Sequence, residues 1–395
     1  MNKLVKNNVY WIGNIDWELK KFHGEDFSLN NGSSQNSYLI KEEKTVLIDT
    51  VWLPHSTNFI DNLKKEIDLN KIDYIIINHS EIDHSGSLPD LMKEIPNTPI
   101  YCTAKSVESL EGQYGKNNWN FHIVKNGDSL DIGNNKKLIF IQMTMLHWPD
   151  SMATYLTGDN ILFSNDAFGQ HYATDVLFND LSDQNVLMKE ALKYYVNILN
   201  PYGMLVKNKI NELKKLNLPI DIIAPSHGII WRNNPTQIID LYDKWSSDYK
   251  ENQITIVYET MWNGTKKIAE EIEKYIKVKY PNIIVKLFNI GITDKTDITV
   301  EIFKSKTIIV GAPTVYNDIP STMTGFLSFL KQLKFKNKKA MAFGCYGWSG
   351  EGCKIINEKL QQAGFTVSTN FIKSLWNPNK DVFDQIPNLI DELVK

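Results

Sequence analysis

The spacing of apolar segments changes once along this chain, at a polar stretch covering residues 245–253, and that change limits what the two halves can form. Before it, short β-forming segments follow one another at residues 9–15, 37–40, 45–48, 74–78, 100–103, 121–124, 137–142, 153–157 and 161–164. Helices are expected at 56–67, 87–94 and 105–114, and longer ones at about 184–200 and 204–216 before a further strand at 220–224. This predicts a sheet-rich α/β layer. After the change, strand and helix alternate: strands at 254–258, 283–289, 307–310, 339–343 and 366–374 are separated by helices at 264–278, 297–304, 321–333 and 351–363. Five strands with crossover helices predict a doubly wound parallel sheet. The expected domains are residues 1–250 and 254–395.

A chain of 395 residues is too long for one ordinary core, which agrees with that division. A net charge of −3 and the absence of a long basic run argue against a nucleic-acid partner. The lysines between 334 and 339 are expected to form a solvated edge. Residues 1–8 carry charge and no apolar run, so neither a secretory signal nor a membrane anchor is expected, and the location is expected to be cytoplasmic. The three cysteines, Cys102, Cys345 and Cys353, form no Cys-x-x-Cys pair and read as small buried hydrophobes.

Chemistry concentrates at the carboxyl ends of the predicted strands. Asn78-His79-Ser80-Glu81-Ile82-Asp83-His84 follows the strand at 74–78, and Ser87 with Asp90 forms a possible capping box around Pro89. His79, Glu81, Asp83 and His84 together suit two metal ions better than one, and four side chains on one loop cannot enclose two ions. Three further candidate ligands stand just past later strands: His147, Asp166 and His227. Each alone has a structural alternative, a hydrogen-bonded histidine or a turn-capping aspartate. Asp49 is expected to orient the metal loop; His23 and His171 are candidates for a supporting or proton-donating role, and His55 and His122 for a structural one.

In the second half, Glu259-Thr260-Met261-Trp262-Asn263-Gly264-Thr265 ends a strand and enters a helix, a combination that suits the phosphate of a mononucleotide. Neither a Walker A loop nor a Gly-x-Gly-x-x-Gly is present, so a dinucleotide is not favoured. Two later strand ends carry Pro313, Thr314, Val315, Tyr316 and Asn317, and Tyr346, Gly347, Trp348, Ser349 and Gly350. Their aromatic rings can stack on an isoalloxazine, and their glycines allow close backbone approach.

The metal-loop spacing resembles the His-x-His-x-Asp-His signature of the metallo-β-lactamase fold, with Glu81 standing where the hydrolases carry their second histidine. With Thr-Met-Trp, Pro-Thr and Tyr-Gly-Trp-Ser-Gly in the second half, the chain resembles the flavodiiron proteins over nearly its whole length. In the second loop, Tyr316 departs from the asparagine expected there, and the loop is one residue shorter. The resemblance implies an N-terminal αβ/βα metallo-β-lactamase-like sandwich followed by a flavodoxin-like sheet. It implies two iron ions, one on His79, Glu81 and His147 and the other on Asp83, His84 and His227, with Asp166 bridging, and FMN in the second domain. The function it implies is transfer of electrons through FMN to a diiron site that reduces O2 to water, NO to N2O, or both. Since no rubredoxin follows residue 395, an external donor such as a rubredoxin and its reductase is expected, with a head-to-tail homodimer or a dimer of dimers. The alternative is a zinc hydrolase fused to an electron-transfer flavodoxin, against which Glu81 and Asp166 weigh.

Overall fold

The computed structural model describes residues 3–394. They divide into two compact units. One contains the chain up to Tyr195 together with Tyr202–Asp243, the other Val196–Pro201 together with the chain from Lys244 onward.

Among the described residues, the first unit contains a seven-stranded and a five-stranded sheet. The seven-stranded sheet runs in the order Lys3–Lys6, Val9–Trp11, Tyr38–Lys41, Thr45–Ile48, Tyr74–Ile76, Ile100–Cys102 and Phe121–Ile123. The other runs in chain order through Ser129–Gly133, Lys136–Gln142, Met152–Leu156, Ile161–Asn165 and Ile222–Pro225. Alternation along the strands decides what each face meets. Tyr38, Ile40, Val46 and Ile48 point into a core shared with Leu138, Phe140, Met152 and Phe163 of the opposite sheet. Leu39, Leu47 and Ile75 point the other way, onto Phe59 and Leu63 of the helix Ser56–Glu66 and Leu91 of the helix Leu88–Glu94. This is the αβ/βα sandwich that the family resemblance implies, built on the sheet-rich α/β layer that the strand pattern predicts.

The second unit holds a parallel sheet in the order Ile284–Asn289, Gln253–Tyr258, Thr307–Gly311, Lys339–Tyr346, with Thr366–Val367 and Ile372–Leu375 both pairing with the last. The order reverses beside the first strand in sequence, which is the flavodoxin arrangement. Ile268, Ile272 and Ile276 of the helix Gly264–Lys279 cover one face with Ile386 and Ile390 of the helix Ile386–Val394.

Several expectations are corrected. Residues 9–15 are not one strand: the chain leaves the first sheet at Gly13, and Asn14–Asp16 pairs with Ser33–Gln35 instead. A side chain at Gly13 would collide with the backbone of Gln35 and Asn36. The strand expected at 366–374 is interrupted where the Asn370 N–H turns back onto Ser368 Oγ. The helix expected to reach residue 200 ends its regular turns at Tyr194 and opens into a wider turn, Tyr195–Leu199, ahead of Pro201. The capping box does not form. Ser87 Oγ donates to the Val51 carbonyl at 2.9 Å, and Asp90 accepts from Ser56 Oγ at 2.8 Å, so both side chains tie neighbouring segments together. Cys345 is only half buried, whereas Cys102 and Cys353 are buried, and burial pushes all three thiols well above the ordinary range.

The lysine-rich edge is also not uniformly solvated. Lys338 is 4% exposed, and its Nζ donates to the carbonyls of Phe303 at 2.7 Å and Ser305 at 2.6 Å, at the end of the helix Lys295–Lys304. Burial pushes its ammonium down to about 7, and Lys250 adds to the effect. An unfolded lysine keeps its proton to about pH 10.5, so between these values the unfolded chain binds more protons and stability rises with pH. The expected outcome for K338M is loss of that rise, worth roughly 2 kcal/mol between about pH 7 and 9 in the native protein. Urea-unfolding midpoints that climb equally in both proteins would show that Lys338 is not the source.

Candidate metal centre

Parallel pairing brings the strand ends into register. Ile48 pairs with Ile76 and Asn165 with Pro225, so the segments that follow them emerge on common edges of the two sheets. Asp49 then turns with φ of +55° and takes the Asn78 N–H on Oδ1 at 2.7 Å, while Thr154 Oγ1 donates to Asn78 Oδ1 at 2.7 Å. The backbone entering His79 is thereby tied to both sheets. Burial pushes the Asp49 carboxyl up to about 6, with the charge of His84 and the bonds from Asn78 opposing it.

The metal loop is partly helical. Asp83 and His84 lie on the short helix Ile82–Ser85, a turn that periodicity does not announce, and Glu81 precedes it without capping it. Two clusters result, His79 with Glu81, His147 and Asp166, and Asp83 with His84 and His227, each with one ligand atom per residue within 4.8 Å of the others. Asp166 faces both. Its Oδ2 lies 3.7 Å from His79 Nε2 and 3.3 Å from His147 Nε2, and its Oδ1 lies 3.0 Å from His84 Nε2 and 3.6 Å from His227 Nε2. Glu81 Oε2 stands 3.3 Å from His79 Nε2 and 3.4 Å from His147 Nε2, and Asp83 Oδ2 stands 3.1 Å from His227 Nε2.

Both oxygens of Asp83 and of Asp166, and both ring nitrogens of His84, are buried without a hydrogen-bond partner. Polar atoms in that condition carry a large desolvation cost. A cation between them removes it. The donor set therefore fits two metal ions, and oxygen with imidazole and no thiolate suits iron. Electrostatics agree. Burial opposes charge on every group, yet His84 and His147 hold Asp166 well below the usual carboxylate range, and the carboxylates push His84 and His147 up to about 9. The field that favours protonated imidazoles there also favours cations in place of the protons.

Supporting groups fix the ring tautomers. His79 Nδ1 donates to Asp150 Oδ2 at 3.1 Å, and that oxygen also takes the Ser80 N–H at 2.7 Å. His227 Nδ1 donates to the Ser34 carbonyl at 2.6 Å. In both cases Nε2 is left facing the cluster. Sequence reasoning missed Asp150, Ser34 and Tyr194, whose ring lies 5.1 Å from that of His171 and 6.2 Å from that of His227. Asp150 stands three residues after His147, which was its available signal; Ser34 acts through its backbone, and Tyr194 lies in a helix with no distinguishing pattern. His171 is buried, bonds Ser33 Oγ through Nδ1 at 2.7 Å and packs 4.8 Å from the His227 ring; burial and His227 keep it neutral. His23 sits at the mouth, Nε2 3.3 Å from Glu81 Oε1. His55 instead bonds Asp16 at 3.0 Å, and His122 stacks on Tyr101.

In the second unit, residues 259–265 join the strand Gln253–Tyr258 to the helix Gly264–Lys279, whose N-terminus has no side-chain cap. The hydroxyls of Thr260 and Thr265 are buried without partners there, which fits a phosphate. The second and third loops meet: the Thr314 N–H donates to the Cys345 carbonyl at 2.9 Å, the Gly352 N–H to Thr314 Oγ1 at 3.1 Å, and Ser349 Oγ to Asn317 Oδ1 at 3.1 Å. Trp262, Tyr316 and Trp348 are exposed around them.

A family model described as ODP family beta lactamase matches residues 33–228, and a flavodoxin model matches 256–386. Rubredoxin oxygen:oxidoreductase from Desulfovibrio gigas superposes with a TM-score of 0.96 at 30% identity, over 100% of this chain and 98% of that one. The flavodiiron protein of Giardia intestinalis gives 0.94 at 30% identity, over 100% and 96%. Anaerobic nitric oxide reductase flavorubredoxin of Escherichia coli O1:K1 is 51% identical over 384 residues, 97% of this chain and 80% of that protein. The chain belongs to the flavodiiron protein family. The flavodiiron family accounts for both folds on one chain and for the two cofactors whose sites the geometry fits, a diiron centre and FMN.

One consequence of this geometry is testable on the flavodiiron chain itself. D150N keeps the volume of Asp150 and removes the charge that holds His79. The expected outcome is a 10- to 100-fold loss of iron affinity with an unchanged circular dichroism spectrum. Competition with a chelator measures it, and an unchanged affinity would mean that Asp150 does not support the site.

Proposed function

We propose that this chain passes electrons from a separate donor through FMN to a non-haem diiron site and reduces nitric oxide to nitrous oxide, dioxygen to water, or both. The observation that carries the reading is the division of the Asp166 carboxylate, Oδ2 toward His79 and His147 and Oδ1 toward His84 and His227. The ligand set this supports is His79, Glu81 and His147 on one ion, Asp83, His84 and His227 on the other, and Asp166 between them. When bound, FMN and two irons together supply the four electrons that full reduction of dioxygen needs.

The chain's own residues do the rest. Asp150 and the Ser34 carbonyl hold the Nε2 atoms of His79 and His227 toward the ions. Glu81, Asp83 and Asp166 offset the positive charge gathered there. His23, with a side chain 36% exposed and in contact with Glu81, is placed to move a proton between solvent and the cluster. Phe22 packs against the rings of His23 and His171, at 4.4 and 4.8 Å between ring centres.

Nitric oxide is the proposed principal substrate. The relatives at 51% identity are named nitric oxide reductases, whereas the oxygen oxidoreductase is 30% identical. A rubredoxin with its reductase is the proposed donor, which the name of the Desulfovibrio protein supports. A cytoplasmic location is part of the proposal; among the described residues no helix is long and apolar enough to cross a membrane.

A head-to-tail homodimer completes the reading. Trp262, Tyr316 and Trp348 are 83%, 94% and 81% exposed, a cost that a second surface would remove. Sedimentation equilibrium is expected to give the mass of two chains or a multiple of it, and a single-chain mass at working concentration rules the pairing out.

Gas electrodes test the function on protein shown to contain iron and FMN. Uptake of nitric oxide faster than dioxygen is expected, and uptake of neither would falsify the reading. In D166N the carboxylate is lost but not the volume. FMN reduction by the donor is expected to persist while gas uptake falls by about a hundredfold or more. Undiminished uptake would show that Asp166 does not bridge.

A further inference from the structure

The three flavin loops leave one neighbouring aromatic residue unassigned. Trp376 follows the strand Ile372–Leu375, whose last residue pairs with Tyr346, and its N–H donates to the Tyr346 carbonyl at 2.8 Å. Its indole lies against Gly347: a Cβ added there would stand 3.0 Å from Cζ3 and 3.1 Å from Cη2 of the ring. Its carbonyl oxygen would be 3.7 Å from a Cβ added at Gly264, the first residue of the helix at whose N-terminus Thr260 and Thr265 present unpartnered hydroxyls. Trp376 therefore spans from the phosphate end of the site to the third loop.

Two features are costly for a residue with a purely structural role. The backbone of Trp376 has φ of +57°, a region a bulky side chain rarely occupies. The indole is nevertheless 64% exposed, so core burial does not offset that strain. Strained residues of this kind gather at ligand clamps, where the surrounding structure holds them in place. Here the surroundings are the strand end and the bare face of Gly347.

We propose that Trp376 is a fourth segment of the flavin site, closing the side between the phosphate-binding helix end and the Tyr346–Gly350 loop. The inference rests on the reading that the second unit holds FMN. It also gives Gly347 a reason besides close backbone approach to the flavin, because a Cβ there would press on the indole.

Flavin-free full-length protein titrated with FMN tests it, reading flavin fluorescence for affinity and tryptophan fluorescence for contact. W376F and W376L both keep bulk at the position, so the result does not depend on a truncation that folds. W376F is expected to bind within about threefold of the parent. W376L is expected to bind about tenfold more weakly, the loss of one aromatic wall. The tryptophan signal quenched by FMN is expected to shrink in both. Affinity and quenching unchanged in both variants would overturn the proposal and leave Trp376 as a surface residue. Failure of the parent protein itself to bind FMN would overturn the underlying reading instead.

Discussion

The arrangement of the first unit depends on a single buried carboxylate serving two groups of imidazoles. Asp166 is 1% exposed, and its environment would be among the least favourable for a negative charge without the histidines around it. Each oxygen answers to a different cluster, so the carboxylate sets the separation of the two groups and offsets the mutual repulsion of whatever cations they hold. Removing the charge would leave both clusters short of a shared carboxylate.

That carboxylate is held in place by the sandwich. Asp166 follows the strand Ile161–Asn165, and His227 follows Ile222–Pro225, its parallel neighbour; the Ser226 N–H donates to the Asn165 carbonyl at 2.9 Å. On the facing sheet, Asp49 and Asn78 fix the loop that carries His79, Glu81, Asp83 and His84. The interlocked core of Tyr38, Phe140, Ile161 and Phe163 keeps the two sheets from sliding, so the clustered side chains drawn from both remain in register. Supporting hydrogen bonds from Asp150 and the Ser34 carbonyl then choose the ring nitrogen that faces inward.

In the second unit the same logic acts through backbone rather than charge. Parallel strands deliver three loops to one edge of the sheet, where glycines permit close approach and threonine hydroxyls stand unpaired. The aromatic residues of that edge are left exposed, which is poor economy for a free surface and ordinary for one that receives a planar cofactor or a second chain.

The sequence by itself determined the two fold classes, because alternation and apolar length report how each segment is buried. It also determined that His79, Glu81, Asp83, His84, His147, Asp166 and His227 all stand just past strands, since strand ends are visible as breaks in periodicity. What it could not determine depends on contacts between distant segments. The division of Asp166 between two clusters, the use of Asp150 to hold His79, and the burial of Lys338 in a lysine-rich edge are set by partners 71 residues apart for Asp150 and 33 to 35 apart for Lys338. Strand register decided the same kind of question locally. Gly13 breaks a strand because Gln35 crosses beside it, and Trp376 reaches the flavin loops because Leu375 pairs with Tyr346. Local composition records which residues prefer water or a particular backbone shape; only tertiary packing records which of them meet, and a shared buried charge exists only where they do.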